Sequence, residues 1–174
     1  MPSPTPWAHD GRALPATEGR GPAPAAVVDV SPHPPSHEHP LSGRCLCGGI
    51  RFEITAPFTV ALYCHCTHCQ HRTGTGYSVG GRVPREGFRL ISGRDLISGY
   101  TPPGGIPKLF CARCGGHVFS GDPITDGHVG IRFGALDADP GIRPSFHQFT
   151  ASAPAWAPVP DDGLPRYPRA APSN

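Results

Sequence analysis

Seven cysteines lie along the chain in three groups: Cys45 and Cys47 in GRCLCGG, Cys64, Cys66 and Cys69 in YCHCTHCQH, and Cys111 and Cys114 in FCARCGG. Such gaps suit zinc. A strand turns residues i and i+2 to the same face, and a C-x-x-C knuckle folds two sulfurs onto one ion. The natural partition is four plus three. Cys45 and Cys47 combine with Cys111 and Cys114, whose following Gly115 and Gly116 tolerate the positive φ of a knuckle, into a closed tetrahedral site of structural type. The triplet Cys64, Cys66 and Cys69 then keeps three sulfurs, the ligand number of a catalytic zinc with one corner open to water or substrate. His65, His68 or His71 could close that corner instead, which would make both ions structural. A redox thiol pair is the weakest alternative, because no βαβ pattern accompanies the cysteines.

An ion held by three thiolates carries one net negative charge before its fourth ligand arrives, so it is a poor Lewis acid and hydrolysis is disfavoured. The chain also has no H-E-x-x-H segment, and no carboxylate stands beside the triplet to activate water. A thiol substrate fits better, since zinc favours its deprotonated, nucleophilic form. The expected product is a new carbon–sulfur bond. An anionic thiol needs a cationic hold, for which Arg72 is the candidate, and His65 is the nearest proton-donor candidate.

The elements that must position these residues are strands. IRFEITA at 50–56 alternates apolar and polar residues with period two, and FTVALY at 58–63, FRLI at 88–91, KLFC at 108–111, HVF at 117–119, HVGIRF at 128–133 and FHQFT at 146–150 are rich in β-branched and aromatic residues. Paired glycines, PPGG, GDP, DG and DPG separate them as turns. No helical period is sustained, although one short turn fits around Cys69. The fold class is all-β.

With 23 glycines and 24 prolines in 174 residues, the chain has room for one domain with loose ends. Residues 1–40, which are Pro/His-rich and contain HPPSHEHP, read as a disordered tail; 41–165 is the domain; 166–174 is a second disordered tail. No apolar run is long enough to cross a bilayer and no export signal is visible, so a soluble, cytoplasmic protein is expected. Seven is an odd number of cysteines, which excludes a fully paired disulfide scaffold. The formal net charge of +2 becomes negative once seven thiolates and two Zn²⁺ are counted, which argues against nucleic acid as a partner. Trp156 and His147 read as core residues, His147 as a satisfied interior polar group. Gly74 and Gly76 read equally as a turn or as a place where backbone meets a ligand.

G-x-C-x-C-G at 43–48, C-H-C-x-x-C at 64–69, Gly74, F-C-x-x-C-G at 110–115, G-x-L-D at 134–137, Pro144, His147, Trp156 and D-G-L-P at 162–165 together carry a resemblance. The chain resembles the glutathione-dependent formaldehyde-activating enzyme family, whose domain is shared with centromere protein V. The resemblance implies a zinc-bearing β-tent of small antiparallel sheets with two zinc ions, one structural on Cys45, Cys47, Cys111 and Cys114, and one catalytic on Cys64, Cys66 and Cys69. It implies a carbon–sulfur lyase that joins glutathione or a similar small thiol to formaldehyde as S-hydroxymethylglutathione. It leaves open a non-catalytic, zinc-stapled binding module acting through protein partners, as in centromere protein V.

Overall fold

Short alternating runs separated by glycine and proline give short strands. The computed structural model describes residues 33–121 and 126–172, and within them eleven strands and one α-helix. In chain order the first strands are β1 (Leu41–Arg44), β2 (Arg51–Ile54), β3 (Val60–Cys64), β4 (Ser78–Pro84), β5 (Phe88–Ser92) and β6 (Ile97–Tyr100). They are followed by β7 (Lys108–Cys111), β8 (His117–Ser120), β9 (His128–Arg132), β10 (His147–Gln148) and β11 (Arg166–Tyr167). The helix α1 (Thr67–Thr73) lies between β3 and β4. No described helix is long and apolar enough to cross a membrane.

The strands make a three-stranded antiparallel sheet, β1-β2-β5, and an eight-stranded sheet, β11-β10-β3-β4-β9-β8-β7-β6. The all-β class therefore holds, with a second sheet larger than the small sheets expected. Its pairings are antiparallel except at one edge, where β10 runs parallel to both β3 and β11. That edge corrects the reading of 166–174 as a disordered tail over its described residues, 166–172, since His147 pairs with Arg166 and Gln148 with Tyr167. Backbone bonds from Phe149 N to Arg169 O and from His147 N to Pro165 O fasten the segment further. The signal was hidden because two-residue strands are too short to show a period. The expected N-terminal tail falls largely on residues 1–32, outside the described residues.

Each sheet turns one face inward. Buried Leu41, Phe52, Ile54 and Phe88 from the small sheet meet Val83, Val118, Phe119, Val129 and Ile131 from the large one. At the centre, Phe119 lies edge-on to Phe52 at 5.1 Å and to Phe88 at 5.2 Å between ring centroids. Phe119 thus joins the two layers. Strand β4 was not visible in the sequence because Gly80 and Gly81 look like a turn. They stand mid-strand because side chains do not fit there: a Cβ on Gly80 would lie 2.5 Å from the Ile131 carbonyl oxygen, and one on Gly81 2.7 Å from that of Val60. Trp156, expected in the core, is 71% exposed instead. It belongs to a loop resting on Gly76, where a Cβ would come within 2.5 Å of the Ala157 Cβ. Gly76 therefore serves close packing of that loop.

Because Phe119 is fully buried between the sheets, Phe119→Ala should cost about 3–5 kcal/mol of stability. Urea denaturation of the metal-loaded protein measures this as a lower midpoint at unchanged slope.

Candidate metal centre

The two ends of the chain's zinc-like spacing converge. Cys45 follows β1 and enters a tight turn in which Gly48 N–H bonds the Cys45 carbonyl at 2.9 Å and Gly48 adopts φ 70°. Cys111 ends β7, and Gly115, at φ 69°, returns its N–H to the Cys111 carbonyl at 2.8 Å. These matching turns bring the four Sγ atoms within 4.8 Å of one another. A tetrahedron with Zn–S bonds of about 2.3 Å needs sulfurs about 3.8 Å apart. Cys45 to Cys47 is 3.6 Å and Cys47 to Cys111 is 3.9 Å, so the cluster fits zinc. The Ile50 N–H donates to Cys45 Sγ at 3.3 Å, and the Gly116 N–H holds the Cys114 thiol down to about 6. Both bonds favour thiolate. The cluster links the β1–β2 hairpin of the small sheet to the β7–β8 hairpin of the large one.

Cys64, Cys66 and Cys69 form the second group, again with all Sγ atoms within 4.8 Å. Cys64 closes β3, Cys66 is the residue before α1, and Cys69 is the buried residue of that helix. Helix α1 forms because the Cys66 carbonyl accepts the N–H groups of Cys69 and Gln70, and it stops where Gly74 takes the left-handed conformation at φ 68°. Gly74 is thus a helix terminator. Gln70 braces the loop, donating its amide to the carbonyls of His65 at 2.6 Å and Ser152 at 2.7 Å. Hydrogen bonds from Cys64 and Cys66 hold the Cys69 thiol far below its usual range, while Cys66 and Cys69 push Cys64 up. That arrangement suits a cation's ligands, and the donor set fits zinc.

None of the three histidines near the triplet joins this sulfur group among the described residues. His65 points elsewhere. It is fully buried, its Nε2 lies 2.9 Å from His147 Nδ1, and His147 Nε2 lies 3.0 Å from Asp162 Oδ2. The Asp162 carboxylate accepts from His147 Nε2–H, so a neutral His147 accepts at Nδ1 and His65 donates from Nε2. Burial favours the neutral form of His65, and its Nδ1 has no partner. The sequence points to His147 as a satisfied polar residue, which its two bonds bear out; Asp162 as its partner was not foreseen.

A cavity of about 510 Å³ opens on the triplet, with Lys108, Ser120 and Arg132 in its wall. Arg132 donates to Ser78 Oγ at 2.8 Å and to Ser120 Oγ. Arg72 lines a separate cavity of about 420 Å³ with His68 and Lys108. Its amino groups donate to the carbonyls of Leu109 at 2.6 Å and Phe119 at 2.9 Å and to Ser120 Oγ at 3.1 Å. Burial and the Arg132 charge press Arg72 down to about 10, still a cation at neutrality. Sequence reasoning missed Lys108 and Arg132 because only the sheet brings β7 and β9 to the triplet.

The hydrogen bond from His147 holds the Asp162 carboxyl below its usual range. Its stabilising effect is complete above the ordinary carboxyl pKa of about 3.9 and is lost as pH falls through the lower folded value. The stability gap between the wild type and Asp162→Asn, followed by thermal denaturation, should therefore persist down to about pH 4 and shrink below it.

Among similar proteins, one of Penicillium rubens is 31% identical over 78 residues, 44% of this chain and 41% of its own. One of Podospora anserina is 30% identical over 78 residues, 44% of this chain and 37% of its own. Both are provisionally named glutathione-dependent formaldehyde-activating enzymes. The matched segment thus spans about two fifths of these relatives' length. A solved structure from Rhodobacter sphaeroides, 19% identical, overlaps 72% of this chain and 98% of its own with a TM-score of 0.47. The model of the glutathione-dependent formaldehyde-activating enzyme family matches residues 40–152, more than half of the chain, and the protein belongs to that family.

Proposed function

We propose that the protein is a zinc-dependent enzyme of carbon–sulfur lyase type that joins a small thiol, glutathione or one like it, to an aldehyde such as formaldehyde. One observation carries this reading: three sulfurs gathered within 4.8 Å, with no fourth protein ligand among the described residues, open on a cavity. The names of the relatives agree with it. In this reading Cys45, Cys47, Cys111 and Cys114 hold a structural zinc, and Cys64, Cys66 and Cys69 hold the second. Bound at the triplet, zinc supplies a coordination position that favours the thiolate form of an entering thiol.

The chain's own residues do the rest. Cys69 is steadied by a hydrogen bond from Ser78 and by the Arg132 charge. Gln70 fixes the loop carrying Cys64 and Cys66 through its bonds to the carbonyls of His65 and Ser152. The reaction makes one sulfur–carbon bond, moves the carbonyl π pair onto oxygen, and leaves the thiol's proton on that oxygen. Nothing is oxidised. Positive potential from Lys108 and Arg132 offsets the negative charge that develops on oxygen.

The purified protein should hold two zinc ions per chain, and Cys66→Ser should hold one while keeping its fold. With glutathione and formaldehyde, NMR should show the adduct forming faster than without enzyme, a gain that Cys66→Ser abolishes. Two zinc ions with no acceleration for any thiol tested would contradict this reading and favour the binding module.

A further inference from the structure

We infer that Asp162 and His147 are positioning residues of the inner metal centre: acting through His65, they fix the turn that carries Cys64 and Cys66 and so set how tightly the triplet grips its ion. The inference rests on the triplet being a metal site. Cys64 ends β3, and Cys66 continues extended at φ −63° and ψ 151°. Alternation along such a stretch sends the two cysteines to one face and His65 to the other, into the protein, where it is fully buried. Its backbone is held on both sides: the N–H donates to the Gln148 carbonyl at 3.0 Å, and the carbonyl accepts from Gln70 at 2.6 Å. Among the described residues the ring has one hydrogen bond, between its Nε2 and His147 Nδ1, and its own Nδ1 has no partner.

His147 is itself placed from two directions. Its ring stacks on Tyr63, with 4.6 Å between centroids and 12° between planes, and its Nε2 lies 3.0 Å from Asp162 Oδ2. Asp162 is pinned in turn, because its Oδ1 accepts the Leu164 N–H at 3.1 Å. A carboxylate only accepts, so it fixes the proton of His147 on Nε2, and the proton of His65 on Nε2 with it. Without Asp162 the bond between the two rings can reverse. The reversed form puts the His65 proton on Nδ1, a buried donor with no acceptor, and the turn between the cysteines shifts to relieve it. No hydrogen bond of this series reaches the outer cluster, whose cysteines are set by the turns at Gly48 and Gly115. The series therefore acts on one centre and spares the other.

The zinc-loaded full chain is mixed with an excess of the chelator pyridylazoresorcinol, and the colour of its zinc complex follows release. Two phases are expected, and the one missing from Cys66→Ser belongs to the triplet. In Asp162→Ala that phase should be at least about tenfold faster, while the outer phase stays within about twofold of the wild type. His147→Phe, which keeps a ring against Tyr63 and removes both hydrogen bonds, should be at least as fast. Asp162→Asn keeps an acceptor for His147 Nε2–H and should recover most of the difference. Arg166→Ala frees the same segment from its bonds to Pro160 and Asp161 without touching the series, and should release zinc as the wild type does. An unchanged triplet phase in Asp162→Ala, equal acceleration of both phases, or the same acceleration in Arg166→Ala or Asp162→Asn would overturn the inference, leaving the triplet a metal site. A wild type that releases zinc in the outer phase alone would remove the inner centre and the inference with it.

Discussion

Four sulfurs within 4.8 Å of one another cannot all be thiolates unless a cation lies among them. This constraint organises the fold. The strands are two to seven residues long, and the small sheet has only three of them. The cluster of Cys45, Cys47, Cys111 and Cys114 joins the turn after β1 to the turn after β7, and a cation held there would add a bond between the two sheets. Closing so long a loop through an ion would remove much of the unfolded chain's freedom, and the free energy of metal binding would become folding free energy.

The triplet meets the same constraint with different surroundings. Its sulfurs lie at the junction of β3 and α1, where no fourth ligand arrives from the described chain, and the cavity they open on has Lys108 and Arg132, on strands distant in sequence, in its wall. The outer cluster is completed by the protein's own sulfurs, whereas the inner one faces a cavity. The hydrogen-bonded series Asp162, His147 and His65 runs beneath it and ties the loop of the inner cysteines to the late segment 147–167. The late segment is therefore part of the site's support, and the parallel edge it forms is where the sheet departs from simple antiparallel pairing.

The cysteine partition was legible because metal spacing survives in sequence as short fixed gaps, and the geometry keeps the same two groups. The runs at 50–56, 88–91, 108–111, 117–119 and 128–133 were legible as strands because their apolar residues alternate or cluster. Strand β4 was not, since packing against Ile131 and Val60 demands glycines that read locally as a turn. Trp156 was misplaced because composition cannot reveal that its loop lies on the outside of Gly76. The cations about the triplet were illegible for a similar reason. Arg72 is near Cys69 in sequence and faces another cavity, while Lys108 and Arg132 reach the triplet's cavity only through the order of strands in the sheet.

Zinc-edge X-ray absorption of the fully loaded protein, before and after addition of glutathione, tests the central claim most directly. Seven protein sulfurs shared by two ions give an average of about three and a half sulfurs per zinc at about 2.3 Å, with a light atom at about 2.0 Å making up the rest. The account predicts that glutathione replaces that light atom with an eighth sulfur. Outer-shell scattering from an imidazole, unchanged by the thiol, would show the corner filled by histidine and contradict it.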